Sequence, residues 1–366
     1  MHHEPHVPAP PSPFRPSYRH LPAAALEAQE HLRTLRDWVR YAASRMQAAG
    51  LSFGHGTANA HDEAIWLVCW CLYLSPEHYE ALADAQVLPE ERRRVRHLID
   101  ARCERGQPLA YLIGEAWLMG YRFRADPRAL VPRSLLAEAL VNQAFEPWLA
   151  EQHEDDPDKQ AAHAMLDAML TELGDQAAWM PDEENTPVSG PRRVLDLCTG
   201  GGSLAIIAAH CFPEAEIIAS DLSLDALALA TDNLNDYGLA DRITLYQGDL
   251  FAPLPDTRFD LILCNPPYVN AQSMAALPAE YRAEPEDALG SGTDGMDLIA
   301  RLLVDAPDYL SDQGILVIEI GHEMPHFQAR FPGLAATAIP VAQGDDRIVL
   351  IRAADLNAWR DATLPL

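Results

Sequence analysis

The sequence is poor in positive charge: 27 Lys and Arg stand against 54 Asp and Glu, a formal net charge of -27. Such a surface repels polyanions and favours basic partners, so stable binding to naked nucleic acid or to an anionic membrane is not expected. Long apolar runs are missing too. None approaches the ~20 residues that cross a bilayer, and no positive region followed by an apolar core opens the chain. Cysteine is scarce and scattered (Cys69, Cys71, Cys103, Cys198, Cys211 and Cys264), with no C-x-x-C pair and no histidine at zinc spacing. That argues against a metal site and fits small buried thiols in a reducing cytoplasm, where the protein is expected to act. Internal repeats are absent.

What remains is an ordinary globular composition, 48% apolar and 22% charged, over 366 residues, enough for two cores. Residues 1–22 carry seven prolines and four histidines and read as a disordered tail; His2, His3 and His6 belong to it rather than to a metal site. A small helical domain for substrate recognition is expected over 23–106. Leu32, Leu35, Val39, Ala42 and Met46 recur at helical spacing there, and "HDEAIWLVCWCLYL" (61–74) and "PEERRRVRHLIDARCERG" (89–106) repeat the pattern. His55 and Asp62 lie in its connecting loop and read as a turn and a cap rather than catalytic groups. Residues 107–133 suit a β-hairpin hinge, with aromatic and β-branched residues punctuated by Gly114, Gly120 and Pro127.

A helix and an acidic insert follow over 134–190, where 146–190 holds twelve acidic residues against Lys159 alone; Leu166, Met169, Leu170 and Leu173 suit one amphipathic helix inside it. From residue 191 to 355 strands alternate with helices: "RVLDL" (193–197), "AEIIAS" (215–220), "ITLYQ" (243–247), "FDLILCN" (259–265), "GILVIEI" (314–320) and "RIVLIRA" (347–353). That rhythm predicts an α/β fold with a parallel, doubly wound sheet. Residues 356–366 read as a C-terminal tail.

"VLDLCTGGGSLAI" places a glycine loop between a strand and a helix, where free N–H groups and the helix dipole meet a ligand. Gly200, Gly202 and Ala205 satisfy the G-x-G-x-x-G/A dinucleotide pattern, with Asp221 about 20 residues on, so a nicotinamide or flavin enzyme is one reading and a purely structural turn another. Asp196, at the strand end before the loop, argues against pyrophosphate and for a cationic ligand bearing an ammonium and a sulfonium, such as S-adenosyl-L-methionine. Asp221 would then accept the ribose hydroxyls. Asp249 and Leu250, in the "GDL" after the third strand, fall where an adenine ring would lie.

The fourth strand runs into Asn265, Pro266, Pro267 and Tyr268. Two prolines end a strand, because neither donates to the ladder. They also suit a planar amide or aromatic amine as methyl acceptor. Such a nitrogen has a delocalised lone pair and a weakly acidic N–H, so a general base gains little. The Asn265 side-chain oxygen and the Pro266 carbonyl can instead each accept one N–H and aim the nitrogen. Residues before proline are held extended, which keeps those carbonyls in place, and Tyr268 offers an aromatic face.

Together the glycine loop, Asp221, "GDL" and "NPPY" resemble the class I S-adenosylmethionine-dependent methyltransferases that modify planar nitrogens, a group that includes adenine DNA methyltransferases and protein glutamine N5-methyltransferases. The helical N-domain and hairpin resemble the glutamine branch, the HemK/Prm family, and the likeness covers about residues 24–355. It implies a Rossmann-like, seven-stranded, mostly parallel sheet. Thr199, Gly200, Gly201, Gly202, Asp221 and Leu250 would line the cofactor, and Asn265 to Tyr268 would hold a glutamine amide. "NPPYVNAQSMAALPAEYRAEPEDALGSGTDGMDL" (265–298), "GHGTANAHDEA" (54–64) and "LVPRS" (130–134) resemble the branch that modifies a basic ribosomal protein, protein three of the large subunit. The release-factor branch typically carries an acidic P-R-P-x-T-E-like segment where this chain has "PRSLLAE"; Ala283 stands where the family often has histidine. A release-factor enzyme, an adenine N6-methyltransferase and a non-enzymatic assembly factor are the alternatives.

Overall fold

The computed structural model describes residues 31–151 and 190–363, in two units divided between Leu112 and Ile113. The proline tail at 1–22, residues 23–30 and the helix expected around Leu166 to Leu173 lie outside the described residues.

In the first unit each main helix begins and ends where its caps dictate. Helix α1 (Leu35–Ala49) starts at Thr34, whose hydroxyl accepts the Asp37 N–H while the Asp37 carboxylate accepts the N–H groups of Arg33 and Thr34. This reciprocal cap starts a helix of its own, so Leu32 precedes it rather than belonging to it. Helix α2 (Ala60–Cys71) is capped by Asn59, whose side chain accepts from His61 and Asp62; Asp62 is a first-turn residue, not the cap. Helix α3 (Pro89–Arg105) opens on proline and closes at Gly106, φ 61°. Helices of 12 to 17 residues are marginal alone. The three helices pack on one another, and Trp38, Val39 and Met46 of α1, Leu67 and Val68 of α2, and Val95 and Ile99 of α3 are buried. Inside this core Arg102 Nε donates to Glu63 at 2.7 Å, both side chains almost wholly buried, and Arg102 Nη2 reaches the Ser52 carbonyl at 3.1 Å.

The second unit opens with the expected hairpin. Strands β1 (Glu115–Leu118) and β2 (Tyr121–Arg124) pair antiparallel about Met119 and Gly120, both left-handed at φ 49° and 82°. Then comes a seven-stranded sheet of β3 (Arg193–Leu197), β4 (Glu216–Asp221), β5 (Ile243–Gln247), β6 (Phe259–Cys264), β7 (Leu310–Glu319), β8 (Thr337–Ala338) and β9 (Ile348–Arg352), in the order β5-β4-β3-β6-β7-β9-β8. Strands β5, β4, β3, β6 and β7 are parallel; β9 runs antiparallel to β7 and to β8.

Both faces of the sheet are covered, which is why its central strands read as unbroken apolar runs. Val194, Leu261, Leu263, Ile315 and Val317 face the core built with α4 (Leu136–Val141) and α5 (Ser203–Cys211). Leu195, Leu197, Ile262, Cys264, Leu316 and Ile318 face the other, with α7 (Asp297–Asp305), α8 (Met324–Arg330) and α9 (Ala353–Thr363). Helix α6 (Leu224–Tyr237) is capped by Ser223 and Gly238 and buries Leu234 in the first of these cores. This is the doubly wound sheet expected from the strand rhythm. Two features differ. Strand β7 begins at Leu310, four residues before the apolar run, and residues 356–363 continue α9 with Leu356 fully buried instead of trailing as a tail.

Candidate active site

Because β3 to β7 are parallel, their carboxyl ends share one edge, and β3 and β6 lie side by side there at the point where strand order reverses. Leu197 pairs with Cys264, so the glycine loop and the Asn-Pro-Pro-Tyr tetrad leave the sheet as neighbours.

The glycine loop is a tight fold. Cys198, Gly200 and Gly202 all take positive φ, the Thr199 N–H donates to the Ser220 carbonyl at 3.0 Å, and the Gly202 N–H closes onto the Thr199 carbonyl. At Gly202 an added Cβ would lie 3.1 Å from the Ala230 Cβ and 3.2 Å from Leu234, so glycine is what lets α5 approach α6. Asn233 of α6 donates to the Gly201 carbonyl at 2.9 Å and fixes the far side of the loop.

Two carboxylates stand at this edge. Asp196 is fully buried; one oxygen accepts from the Thr199 hydroxyl at 2.5 Å and the Ala205 N–H at 3.0 Å, and the other has no partner among the described residues. Burial pushes its carboxyl up to about 7, and the charge of Asp221 adds to the rise. Asp221 ends β4; its oxygens accept from the N–H groups of Gly200 and Ser223 at 2.9 and 2.8 Å, and burial raises this carboxyl as well. The Gly248 N–H donates to the Asp221 carbonyl, which brings the Gly-Asp-Leu turn to the same place. There Leu250 is buried at φ 47°, a conformation that costs a non-glycine residue roughly 1–2 kcal/mol. The Asp249 carboxylate points elsewhere, into a half-exposed ion pair with Arg301 of α7 at 2.6 Å.

In the tetrad, Asn265 is partly exposed and its side chain bonds to nothing in the protein among the described residues, so both its oxygen and its NH₂ are open to a ligand. Pro266 is buried, while Pro267 and Tyr268 are half-buried. The Tyr268 hydroxyl donates to Glu319 at 3.0 Å. Beyond it, the Val269 N–H donates to the Leu289 carbonyl and the Val269 carbonyl accepts from the Ser291 N–H, and Asn270 caps the next short helix while donating to Glu323 at 2.7 Å. The 270–295 loop is thus tied back onto the tetrad.

A second layer was not read from the sequence. Glu284 of that loop receives Arg133 in a two-pronged pair at 2.6 and 2.8 Å and also the Val131 N–H at 3.0 Å, and Arg133 lies over the Tyr281 ring. Glu319 receives Ser134, Leu135 and Tyr268. The available signal was an acid set in an otherwise apolar run, "LVIEI".

Residues 184–282 match the methyltransferase small domain family, and residues 37–114 match the PrmC N-terminal domain. A ribosomal protein uL3 glutamine methyltransferase of Bordetella pertussis is 46% identical over 90% of this chain and 98% of its own. The chain belongs to the ribosomal protein uL3 glutamine methyltransferase family. Members from Burkholderia pseudomallei and Neisseria gonorrhoeae are 43% and 40% identical, each over 89% of this chain and 96% of theirs.

As a member of the uL3 glutamine methyltransferase family the protein is an enzyme, and its methyl donor is S-adenosylmethionine. The residues at the sheet edge suit that donor. A cation bearing ammonium and sulfonium is welcome beside a buried carboxylate whose second oxygen has no partner among the described residues. Among the described residues no group of His, Cys, Asp and Glu could hold a metal, all six cysteines are free, and no helix is long and apolar enough to cross a membrane.

Proposed function

We propose that this enzyme transfers the methyl group of S-adenosylmethionine to the side-chain amide nitrogen of a glutamine in ribosomal protein uL3. The observation that carries this reading is a likeness to uL3 enzymes along nearly the whole chain, in a protein whose tetrad opens beside the glycine loop.

The bound cofactor supplies an electrophilic methyl group on a positively charged sulfur. Asp196 meets its positive end with the free oxygen, while the N–H groups of Thr199, Gly200 and Gly202 are engaged within the protein and set the shape of the loop that holds it. Asp221 keeps lone pairs for the ribose hydroxyls after serving Gly200 and Ser223. Leu250 walls the adenine, whereas Asp249, held by Arg301, shapes the turn without lending its carboxylate.

The substrate amide enters beside Asn265. Its two N–H groups donate to the Asn265 Oδ1 and the Pro266 carbonyl, so the nitrogen lone pair faces the methyl while Tyr268 presents its ring to the amide plane. The nitrogen gains a methyl and gives up one proton to solvent. Asn265 is neutral and leaves the amide uncharged before transfer; rate comes from fixed acceptors and aim, not from a base.

A charge of -27 suits a basic ribosomal protein in the cytoplasm and not a stable complex with naked nucleic acid. The test offers uL3 and a peptide chain release factor separately with labelled cofactor and locates the methyl by mass spectrometry. A methylated uL3 glutamine is expected. Label on the release factor alone would overturn the substrate, and tight, salt-dependent binding to duplex DNA would point to adenine instead.

A further inference from the structure

Glu319 is the last residue of β7, and its neighbour Ile318 pairs with Cys264 at the end of β6. It is 4% exposed, yet three donors converge on it: Tyr268 on one oxygen at 3.0 Å, and Ser134 and the Leu135 N–H on the other at 2.6 and 2.8 Å. An apolar residue would fill this place at lower cost, since burying a carboxylate is expensive even when it is hydrogen-bonded. Burial raises the Glu319 carboxyl, while the three hydrogen bonds and the Arg133 charge pull the other way. Gly321 lies close to the phenol end of the Tyr268 ring, where an added Cβ would fall 2.5 Å from Cε2, 3.0 Å from Cζ and 3.2 Å from the hydroxyl oxygen. The phenol end of the ring is thus held by the Glu319 carboxylate and crowded by the Gly321 backbone.

We infer that Glu319 is a positioning residue for methyl transfer, fixing the Tyr268 ring through its phenol at the angle against which the substrate amide lies. The inference rests on the role given to the tetrad in the proposed function. An amide at 319 could still accept from Ser134 and Leu135 through its oxygen, but it would turn NH₂ towards the phenol, which then has no acceptor for its proton. The charge-assisted anchor would give way to a weaker amide-to-phenol contact of reversed direction, while the fold around it survived.

The test compares Glu319→Gln, Tyr268→Phe and the double variant in the full-length protein. Methyl-transfer kinetics on uL3, calorimetric cofactor affinity and the Tyr268 Cζ resonance in ¹³C-tyrosine-labelled enzyme are measured for each. Glu319→Gln lowers kcat about tenfold through loss of aim, with KM and cofactor affinity within about twofold. It adds nothing in the Tyr268→Phe background. Its Cζ resonance, assigned by its absence from Tyr268→Phe, shifts. Unchanged kcat, an equal loss in the Phe background, or an unmoved resonance each overturns the inference. If wild-type enzyme leaves uL3 unmethylated, the proposed function fails by itself, and the resonance still decides whether Glu319 anchors the ring. Should Glu319→Gln not fold, Glu319→Asp, which keeps the charge but withdraws the oxygens by one methylene, takes its place in the same measurements.

Discussion

Leu197 and Cys264 are paired residues at the carboxyl ends of β3 and β6, and each is followed at once by one of the two segments on which the proposed function rests. The glycine loop continues from one and Asn265 from the other. A parallel pair of strands sets this adjacency to within one residue, which is what the proposed transfer asks of a donor at the loop and an amide at the tetrad.

Asn265→Ala tests the acceptor directly. The side chain supports nothing else in the protein among the described residues, so its removal leaves the fold and the loop of Asp196 untouched. Transfer to uL3 is expected to fall by roughly a hundredfold or more, in line with losing one of two fixed acceptors, while cofactor affinity stays within about threefold. Radiolabel transfer and calorimetry measure the two quantities. Retained transfer would remove Asn265 from the chemistry.

Asp196→Asn tests the buried charge through pH. In the folded protein burial lifts this carboxyl to about 7, whereas the unfolded chain ionises it near the ordinary value of about 3.9. Between those values the folded state holds a proton that the unfolded state has lost. Its contribution to stability is therefore complete below about 4 and disappears as pH rises through about 7. A cationic cofactor prefers the ionised form, so its affinity climbs over the same window. Asn at 196 flattens both slopes, which thermal melts without cofactor and calorimetric titrations with it, from about pH 5 to about pH 8, will reveal. A wild-type affinity that is level across that range would rule out Asp196 as the partner of the cation.

Gly202→Ala and Gly200→Ala separate backbone strain from crowding. Both positions have positive φ, 80° and 57°, so alanine costs about 1 kcal/mol at each. Only at 202 does the new methyl press on α6, at 3.1 Å from Ala230; at 200 the nearest atom is 3.9 Å away on Ala129. Overpacking adds about 1–3 kcal/mol at 202 alone. Urea unfolding of the two variants should differ by that amount, and equal losses would mean that α5 and α6 can separate freely.

The sheet was legible because its central strands are buried on both faces and so stand out as apolar runs such as "RVLDL" and "FDLILC". Strand β8 was not, since Thr337 and Ala338 are two exposed residues whose pairing with β9 comes from the fold and not from their own pattern. The same holds for the start of β7, where "LSDQ" is polar at its outer residues and joins the ladder beside an irregularity between Phe259 and Leu261. Asn265 to Tyr268, Asp196 and Asp221 could be named from local pattern because each lies at or just after the carboxyl end of a strand. Arg133, Glu284 and Glu319 could not, because Arg133 and Glu284 stand 151 residues apart and the partners of Glu319 lie 51 to 185 residues away, so only the folded sheet brings them together. Asp249 shows the converse: its place in the turn was readable, its engagement with Arg301 was not.

Arg102 and Glu63 provide a stability test in the first unit. Their side chains are 1% and 2% exposed and meet at 2.7 Å, and burial raises the Glu63 carboxyl even though the guanidinium opposes it. Removing the cation leaves a buried acid facing a lost partner, so Arg102→Leu should destabilise the unit by about 3–5 kcal/mol. Glu63→Leu together with Arg102→Leu removes the stranded charge as well and should recover part of that loss, although the Ser52 carbonyl then loses the Arg102 hydrogen bond. Chemical denaturation of the single and double variants gives the coupling energy between the two side chains. A double variant no more stable than Arg102→Leu would mean that the arginine holds this core through packing and the Ser52 contact, and that the charge of Glu63 is already relieved by a proton.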